Sequence, residues 1–360
     1  MDSEKLKKLQ DIEARVADVE ATYAGVKVEV EKAKLVATEP FYKRRYEIIA
    51  GKSDPTKEEL ESFSASQNAS EVQSENRGVP YFWLSVFRGH SVIAEYVTKR
   101  DEEALEHLED VRVLSPVGDG PGIRVEFHFG KNKFFKQKVL WKEMRLSESH
   151  SPLLGLQEGD LEEDGTPVQW NEGTNLTVRK TDGKKSKGKK GGSESGPAKM
   201  KVCPSFFGLL SPTLSGLRRP TAALDMDPSM DILSATHEKA QARAGKLAIQ
   251  HFDILNALRQ DVVPNAATLF ASGKIYESGD GGGEEDADEF ELVSAAEQTL
   301  ESLPEGVRRR VCAAQHAQAL ALQAAADTTA EFQKRFQELD AQCLELFGER
   351  RALLAAPPPA

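Results

Sequence analysis

The chain has 360 residues, 29% of them charged, with 47 Lys and Arg against 58 Asp and Glu for a net charge of −11. That length accommodates two or three structural units with a sizeable core, and the acidic balance favours a basic partner over nucleic acid. Cys203, Cys312 and Cys343 lie far apart, which excludes a disulfide framework or a CxxC site, while the charged start and the lack of any apolar run near the roughly 18 residues of a membrane span predict a soluble, non-secreted protein.

Residues 1–50 carry an apolar 3-4-3-4 rhythm through Leu9, Ile12, Val16, Val19, Tyr23, Val26, Val30 and Ala33, with Glu, Lys and Asp filling most positions between. A helix of about 40 residues spans on the order of 60 Å at roughly 1.5 Å per residue. A stripe so long and narrow cannot be buried by its own helix. It needs a partner helix, unless the segment is an ordinary amphipathic helix lying on a domain. The helix is expected to end near Ile49.

Residues 51–78 turn polar, with Asp54-Pro55 as a helix-start signal, a short helix at 57–63 and a Ser/Asn/Gln-rich stretch behind it; they read as an accessory segment. Pro80 then opens an aromatic cluster, Tyr81 to Phe87, at helical spacing, which reads as core together with Val92, Ile93, Tyr96 and Val97. A helix at 101–110 sets Leu105 and Leu108 against Glu102, Glu106 and Glu109, an acidic face that is either a solvated surface or a receptor for a basic ligand.

From Val111 the period switches to two. A strand at 111–117, a Gly-rich turn at 118–122, and the alternation of Ile123, Val125, Phe127 and Phe129 with Arg124, Glu126 and His128 indicate a hairpin. A strand at 134–144 and a fourth around 175–178 complete an antiparallel meander with one buried face, and 147–165 reads as a polar, acidic loop between them.

The basic stretch 179–192 holds Lys184, Lys185, Lys187, Lys189 and Lys190 among glycines and serines, fitting an import signal or plain solvation. Its Gly183-x4-Gly188-Lys189 is not a P-loop, because Lys190 occupies the Ser/Thr position and no strand or helix flanks the glycines. A helix is expected over 231–258 with Leu247, Ile254, Leu255 and Leu258 as its apolar stripe, broken at Val262 to Asn265 and followed by a short helix to Ser272. The glycine-rich segment behind it carries Glu284, Glu285, Asp286, Asp288 and Glu289 and is too charged to fold alone.

Catalytic and metal motifs are missing: no HExxH or GxSxG occurs, and Cys312 with His316 offers only two ligands one helical turn apart. These residues predict no catalytic site, metal or cofactor, and a protein that is not an enzyme.

In order along the chain, Pro40-Phe41-Tyr42-Lys43-Arg44-Arg45-Tyr46-Glu47-Ile48-Ile49, Gly78-Val79-Pro80-Tyr81-Phe82-Trp83-Leu84, Arg100-Asp101-Glu102-Glu103-Ala104-Leu105, Val125-Glu126-Phe127-His128-Phe129, Lys138-Val139-Leu140, Leu176-Thr177-Val178, Ser205-Phe206-Phe207 with Ser211-Pro212, and Asp261-Val262-Val263-Pro264 resemble the nucleosome assembly protein family of histone chaperones, related to the SET-type chaperones. The resemblance covers about 5–275 and implies an α+β fold: a long dimerisation helix, then a four-stranded antiparallel sheet packed with helices. It also implies a homodimer, core histones as partners, no cofactor, no sequence-specific nucleic acid, and residence in nucleus and cytoplasm. Candidate histone-binding carboxylates are Glu102, Glu106, Glu109, Asp110, Glu284, Glu285, Asp286, Asp288 and Glu289. A phosphatase-inhibiting or signalling scaffold, a role of SET-type relatives, is the alternative reading.

Two features depart from that pattern. The acidic tail is short, and an extra long helix follows it, where Leu322, Ala325, Phe332, Phe336, Leu339, Cys343 and Leu346 resume the 3-4 rhythm. Val16, Val19, Val26, Val30 and Ala33 match Leu322, Ala325, Phe332, Phe336 and Leu339 as an internal repeat. The expected organisation is a pairing helix at 1–50, the accessory segment at 51–78, a histone-binding α/β domain at 79–278, an acidic linker at 279–302 and a repeated partial pairing helix at 303–355. That repeat makes the assembly either a homodimer or a pseudo-dimer within one chain, or else leaves a loose Ala-rich helix.

Overall fold

In the computed structural model the 3-4 spacing, with no glycine before Gly25, produces helix α1 over Ser3–Ile49. The structure describes residues 3–61, 78–118, 120–146, 160–181, 199–210, 245–277, 291–294 and 300–355. Pro40 lies inside α1. Its ring removes the N–H that the Val36 carbonyl would accept, at a point where Val36 is 71% exposed. The rhythm residues Leu9, Ile12, Val16, Val19, Tyr23, Val26, Val30 and Ala33 are all buried or half-buried.

The chain returns against the end of α1, where the Val79 amide donates to the Ile49 carbonyl at 2.8 Å. A Cβ on Gly78 would stand 2.8 Å from that same oxygen, so the close approach requires glycine. Three short helices follow: α2 over Phe82–Arg88, α3 over Ser91–Ala94 and α4 over Lys99–Leu105. Strands β1 (Leu108–Leu114), β2 (Gly122–Phe129), β3 (Val139–Leu146) and β4 (Leu161–Gly165) form one antiparallel sheet in sequential order.

The inward residues of β2 are Ile123, Val125, Phe127 and Phe129, and the alternation that predicts them is the alternation that buries them. Against this face sits a 3-10 turn, Phe206–Leu210. Phe206 lies 5.4 Å from both Phe87 and Phe127, and Phe207 lies 5.2 Å from Trp170. Each buried phenylalanine contributes about 1.5–3 kcal/mol, so this aromatic cluster ties the sheet to the helices.

Strands β5 (Val178–Thr181) and β6 (Lys199–Val202) form a two-stranded ribbon, and helix α5 over 245–257 continues into a π turn at Leu258–Val262. Helix α6 (Ala266–Ala271), a second ribbon of β7 (Ile275–Glu277) with β8 (Glu291–Ser294), and helix α7 (Glu305–Ala355) complete the chain. Val307, Val311 and Ala314 at the start of α7 belong to the main core, and further along Phe332, Phe336 and Leu339 meet Val19, Tyr23, Val26 and Val30 of α1. No helix among the described residues is long and apolar enough to cross a membrane.

The expected α+β class and four-stranded antiparallel sheet are present, but several boundaries differ. The fourth strand is Leu161–Gly165, inside the stretch read as a polar loop, whereas 175–178 leads into the separate β5–β6 ribbon. The third strand begins at Val139, because Phe134 and Phe135 turn inward to the core before pairing begins. The helix expected at 101–110 stops at Leu105, placing Glu109 and Asp110 on β1. Between 57 and 61 the only regular element is a 3-10 turn at Glu58–Leu60 with a single helical residue after it. On α7, Leu322 is exposed while Ala321 and Thr328 are buried, so the seam passes one residue to the side of the expected stripe there. Leu247 is likewise exposed, although Ile254, Leu255 and Leu258 of the same stripe are buried.

Candidate functional site

Where α1, the returning segment and β1 converge, a cleft of about 420 Å³ opens between Lys52, Tyr81, Glu106 and Glu109, floored by Ile49, Val79 and Trp83. Tyr81 precedes α2 with φ of 55°. A left-handed backbone costs an L-residue roughly 1–2 kcal/mol, and this one holds a tyrosine that is 55% exposed. The expectation that Tyr81 is core is therefore corrected: α2 buries Phe82, Trp83, Val86 and Phe87, and Tyr81, one position earlier, points away from that face.

Glu109 reaches the cleft through a β-bulge. Leu108 pairs with Phe129 and Asp110 with His128, leaving Glu109 as the extra residue. Behind it, the Trp83 indole N–H donates to the Glu109 carbonyl at 3.2 Å. Among the described residues neither Glu106 nor Glu109 makes a salt bridge, whereas the other two candidates on this face are engaged. Glu102 pairs with Arg88 at 3.2 Å, and the buried Asp110 pairs with Arg112 at 2.8 Å. The structure thus brings two of the four expected carboxylates to one cleft and commits the other two to ion pairs. The remaining candidates, Glu284, Glu285, Asp286, Asp288 and Glu289, lie outside the described residues, as do Lys184, Lys185, Lys187, Lys189 and Lys190.

Lys52 sets a positive edge on the cleft. It donates to the Tyr46 hydroxyl, and that bond, with the Glu109 and Asp110 carboxylates nearby, holds its ammonium above the usual lysine range. On the other side of Glu109 a second hollow of about 620 Å³ is edged by Lys131, Lys136 and Lys138. The cleft thus carries the Glu106 and Glu109 carboxylates between borders of lysine ammonium groups.

Other charged groups of the motifs serve the fold. Arg45 is buried between the Tyr42 and Trp83 rings, at 4.8 and 5.4 Å, and donates to the Val263 carbonyl at 2.5 Å; burial pushes it below the usual arginine range. Asp101, fully buried, accepts from the Thr98 amide and hydroxyl at 3.0 and 2.7 Å, the Ser205 hydroxyl at 2.5 Å and the Phe206 amide at 2.9 Å. Beneath the sheet, Lys142 lies 3.3 Å from Glu163, which lies 3.2 Å from His251, joining β3, β4 and α5 in a buried ionic cluster. Burial pushes the Lys142 ammonium below the usual lysine range, and Glu163 offsets part of that.

Sequence reasoning missed Tyr81 and the Lys142, Glu163 and His251 cluster. The only local signal for Tyr81 is its place between Pro80 and the first buried residue. The described residues contain no group of metal-ligating side chains, and burial pushes the Cys312 thiol up, away from the reactive thiolate.

Residues 4–273 match the family model described as Nucleosome assembly protein (NAP). The chain is 30% identical over 266 residues to nucleosome assembly protein 1;2 of Oryza sativa subsp. indica, covering 73% of this chain and 65% of that one. It is 30% identical over 275 residues to nucleosome assembly protein 1;1 of Arabidopsis thaliana, covering 76% and 66%. The chain thus spans about 65% of the length of the first of these relatives. Among solved structures, Nucleosome Assembly Protein 1 from Plasmodium knowlesi is 18% identical with a TM-score of 0.44, over 74% of this chain and 94% of that one. The Vps75 histone chaperone is 14% identical with a TM-score of 0.32, over 72% and 97%.

Proposed function

This chain belongs to the nucleosome assembly protein family, and from that premise we propose that it is a histone chaperone, binding basic core histones during nucleosome assembly and disassembly. The observation that carries the reading is the family match over 4–273. The cleft at Glu106, Glu109 and Tyr81 agrees with it: unpaired carboxylates beside an exposed aromatic ring suit Lys- and Arg-rich surface, through charge attraction and cation–π contact. Glu102 and Asp110, held by Arg88 and Arg112, add negative charge behind this surface, and Glu284, Glu285, Asp286, Asp288 and Glu289 add a second acidic element. Such dispersed charge gives fast, salt-sensitive association, which suits a carrier that must release its cargo to DNA. No catalysis, cofactor or sequence-specific nucleic acid enters the reading. We assign the protein to nucleus and cytoplasm, with Lys184 to Lys190 as import signal.

Titration of fluorescent core-histone pairs against the full chain across a salt series tests this. Affinity is expected to fall steeply as salt rises, and Glu106→Lys with Glu109→Lys is expected to weaken low-salt binding about tenfold, roughly 1.4 kcal/mol, with a shallower salt slope. Affinity that stays constant across the salt series overturns the electrostatic mechanism. A pull-down that retains a phosphatase but no core histone overturns the function.

A further inference from the structure

Helix α7 lies wholly beyond the residues matched by the family model, which end at 273. Its first half is built into the lobe. Arg310 is 6% exposed and donates to the Ile48 and Ser53 carbonyls at 3.0 and 2.9 Å while pairing with Asp54 at 2.5 Å. Gln318, 5% exposed, accepts from the Ala267 amide at 2.9 Å and donates to the Thr268 hydroxyl at 2.8 Å. These directional contacts, with Val307, Val311 and Ala314 in the core, fix both the rotation and the heading of the helix before it leaves the lobe.

From there α7 runs back along α1. Arg335 pairs with Glu29 at 2.6 Å, and the Phe336 ring lies 5.1 Å from Tyr23. Arg15 pairs with Glu349 at 2.9 Å, Arg350 with Glu13 at 3.9 Å, and Lys5 donates to the Leu354 carbonyl at 3.4 Å. Each step toward the start of α1 is met by an equal step toward the end of α7, the signature of a single antiparallel register. Val26 and Val30 are buried with Leu339, and Phe332 and Phe336 close the sides. Phe332, Phe336 and Leu339 are also the residues that repeat Val26, Val30 and Ala33, so the covering surface is a copy of the surface that it covers.

We propose that α7 is a stand-in, within the same chain, for the pairing helix of a second copy, and that the protein is a single-chain particle. Tethering sets an effective concentration in the millimolar range, so at micromolar protein the helix in cis prevails over a second copy by about a thousandfold. The anchored first half of α7 adds to that advantage, since it delivers the rest of the helix in register. This inference does not depend on what the cleft binds.

Light scattering and sedimentation of the full chain test it. The expected mass is 39.6 kDa, unchanged over roughly a hundredfold range of concentration, because a reversible dimer would shift with concentration. A mass of twice that value overturns the proposal. Full-length Phe336→Asp with Leu339→Asp, placed beyond the half of α7 held in the lobe, is expected to uncover the α1 seam and bring on concentration-dependent dimers; a soluble variant that stays a single chain overturns the stand-in role. Independently of whether that variant folds, wild-type protein is mixed from isotope-labelled and unlabelled copies and cross-linked between Lys32 and Lys334. Linked peptides of one isotope only are expected, and mixed-isotope peptides, which mark exchange of α7 between copies, overturn it.

Discussion

Replacing Asp101 by alanine removes the acceptor on which the aromatic anchor of the lobe is hung. The carboxylate takes the Phe206 amide at 2.9 Å and the Ser205 hydroxyl at 2.5 Å, while closing the start of α4 through Thr98. Loss of the α4 cap costs about 1 kcal/mol, and leaving the buried Phe206 amide without an acceptor costs about 1–3 kcal/mol more. With Phe206 and Phe207 loosened from Phe87, Phe127 and Trp170, the sum is expected near 3–5 kcal/mol, a large share of the 5–15 kcal/mol of an ordinary domain. Asp101→Asn keeps one oxygen for the two amides and the Thr98 hydroxyl and turns its NH2 toward Ser205, so it is expected to cost less than half as much. Urea unfolding followed by tryptophan fluorescence measures both, since Trp83 and Trp170 pack in this region. A loss under about 1 kcal/mol for Asp101→Ala, below the cost of the single stranded amide, refutes the reasoning.

Breaking the buried cluster one-sidedly, by Lys142→Met, leaves Glu163 with His251 but without its ammonium partner and is expected to cost about 3 kcal/mol in urea unfolding, whereas Lys142→Met with Glu163→Leu is expected to recover part of it. Glu59 is held below its ordinary value of 4.5, first by its hydrogen bonds from Arg44. A depressed carboxylate contributes stability that is full above that ordinary value and fades as pH falls through the folded value. Glu59→Gln is therefore expected to lower stability by about 1 kcal/mol at neutral pH, with the gap to wild type closing in acid; thermal melts from pH 7 downward check it, and a gap that widens in acid contradicts it. At Tyr81, glycine relieves about 1–2 kcal/mol of left-handed strain and gives back about 0.5–1 kcal/mol in chain entropy. Tyr81→Gly is expected to hold or slightly raise the melting temperature while weakening histone binding; unchanged binding would remove Tyr81 from the site.

The parts of this fold that were legible are those whose signal is local. Helix α1 shows in the chain because its buried positions recur every three or four residues, and β2 shows because Ile123, Val125, Phe127 and Phe129 alternate between two glycine-bearing turns. Strand β4 was hidden. Leu161-Glu162-Glu163-Asp164-Gly165 has apolar or small residues only at its ends, and the buried Glu163 side chain at its centre is tolerated because Lys142 and His251 arrive from distant parts of the chain. The cleft was half legible for a related reason: the carboxylates are visible in the sequence, but the bulge that turns Glu109 outward and the Arg88 and Arg112 side chains that engage Glu102 and Asp110 are facts of packing.

The meeting of Lys5 with Leu354 has a practical corollary. With 47 residues in α1 and a rise of about 1.5 Å per residue, the far tip of the paired helices stands roughly 70 Å along the helix from the cleft. A donor dye near Lys5 and an acceptor near Leu354 would therefore glow as a couple while the helices stay zipped and darken when they part. Such a sensor would read the opening of the rod in real time without placing a label anywhere near bound cargo.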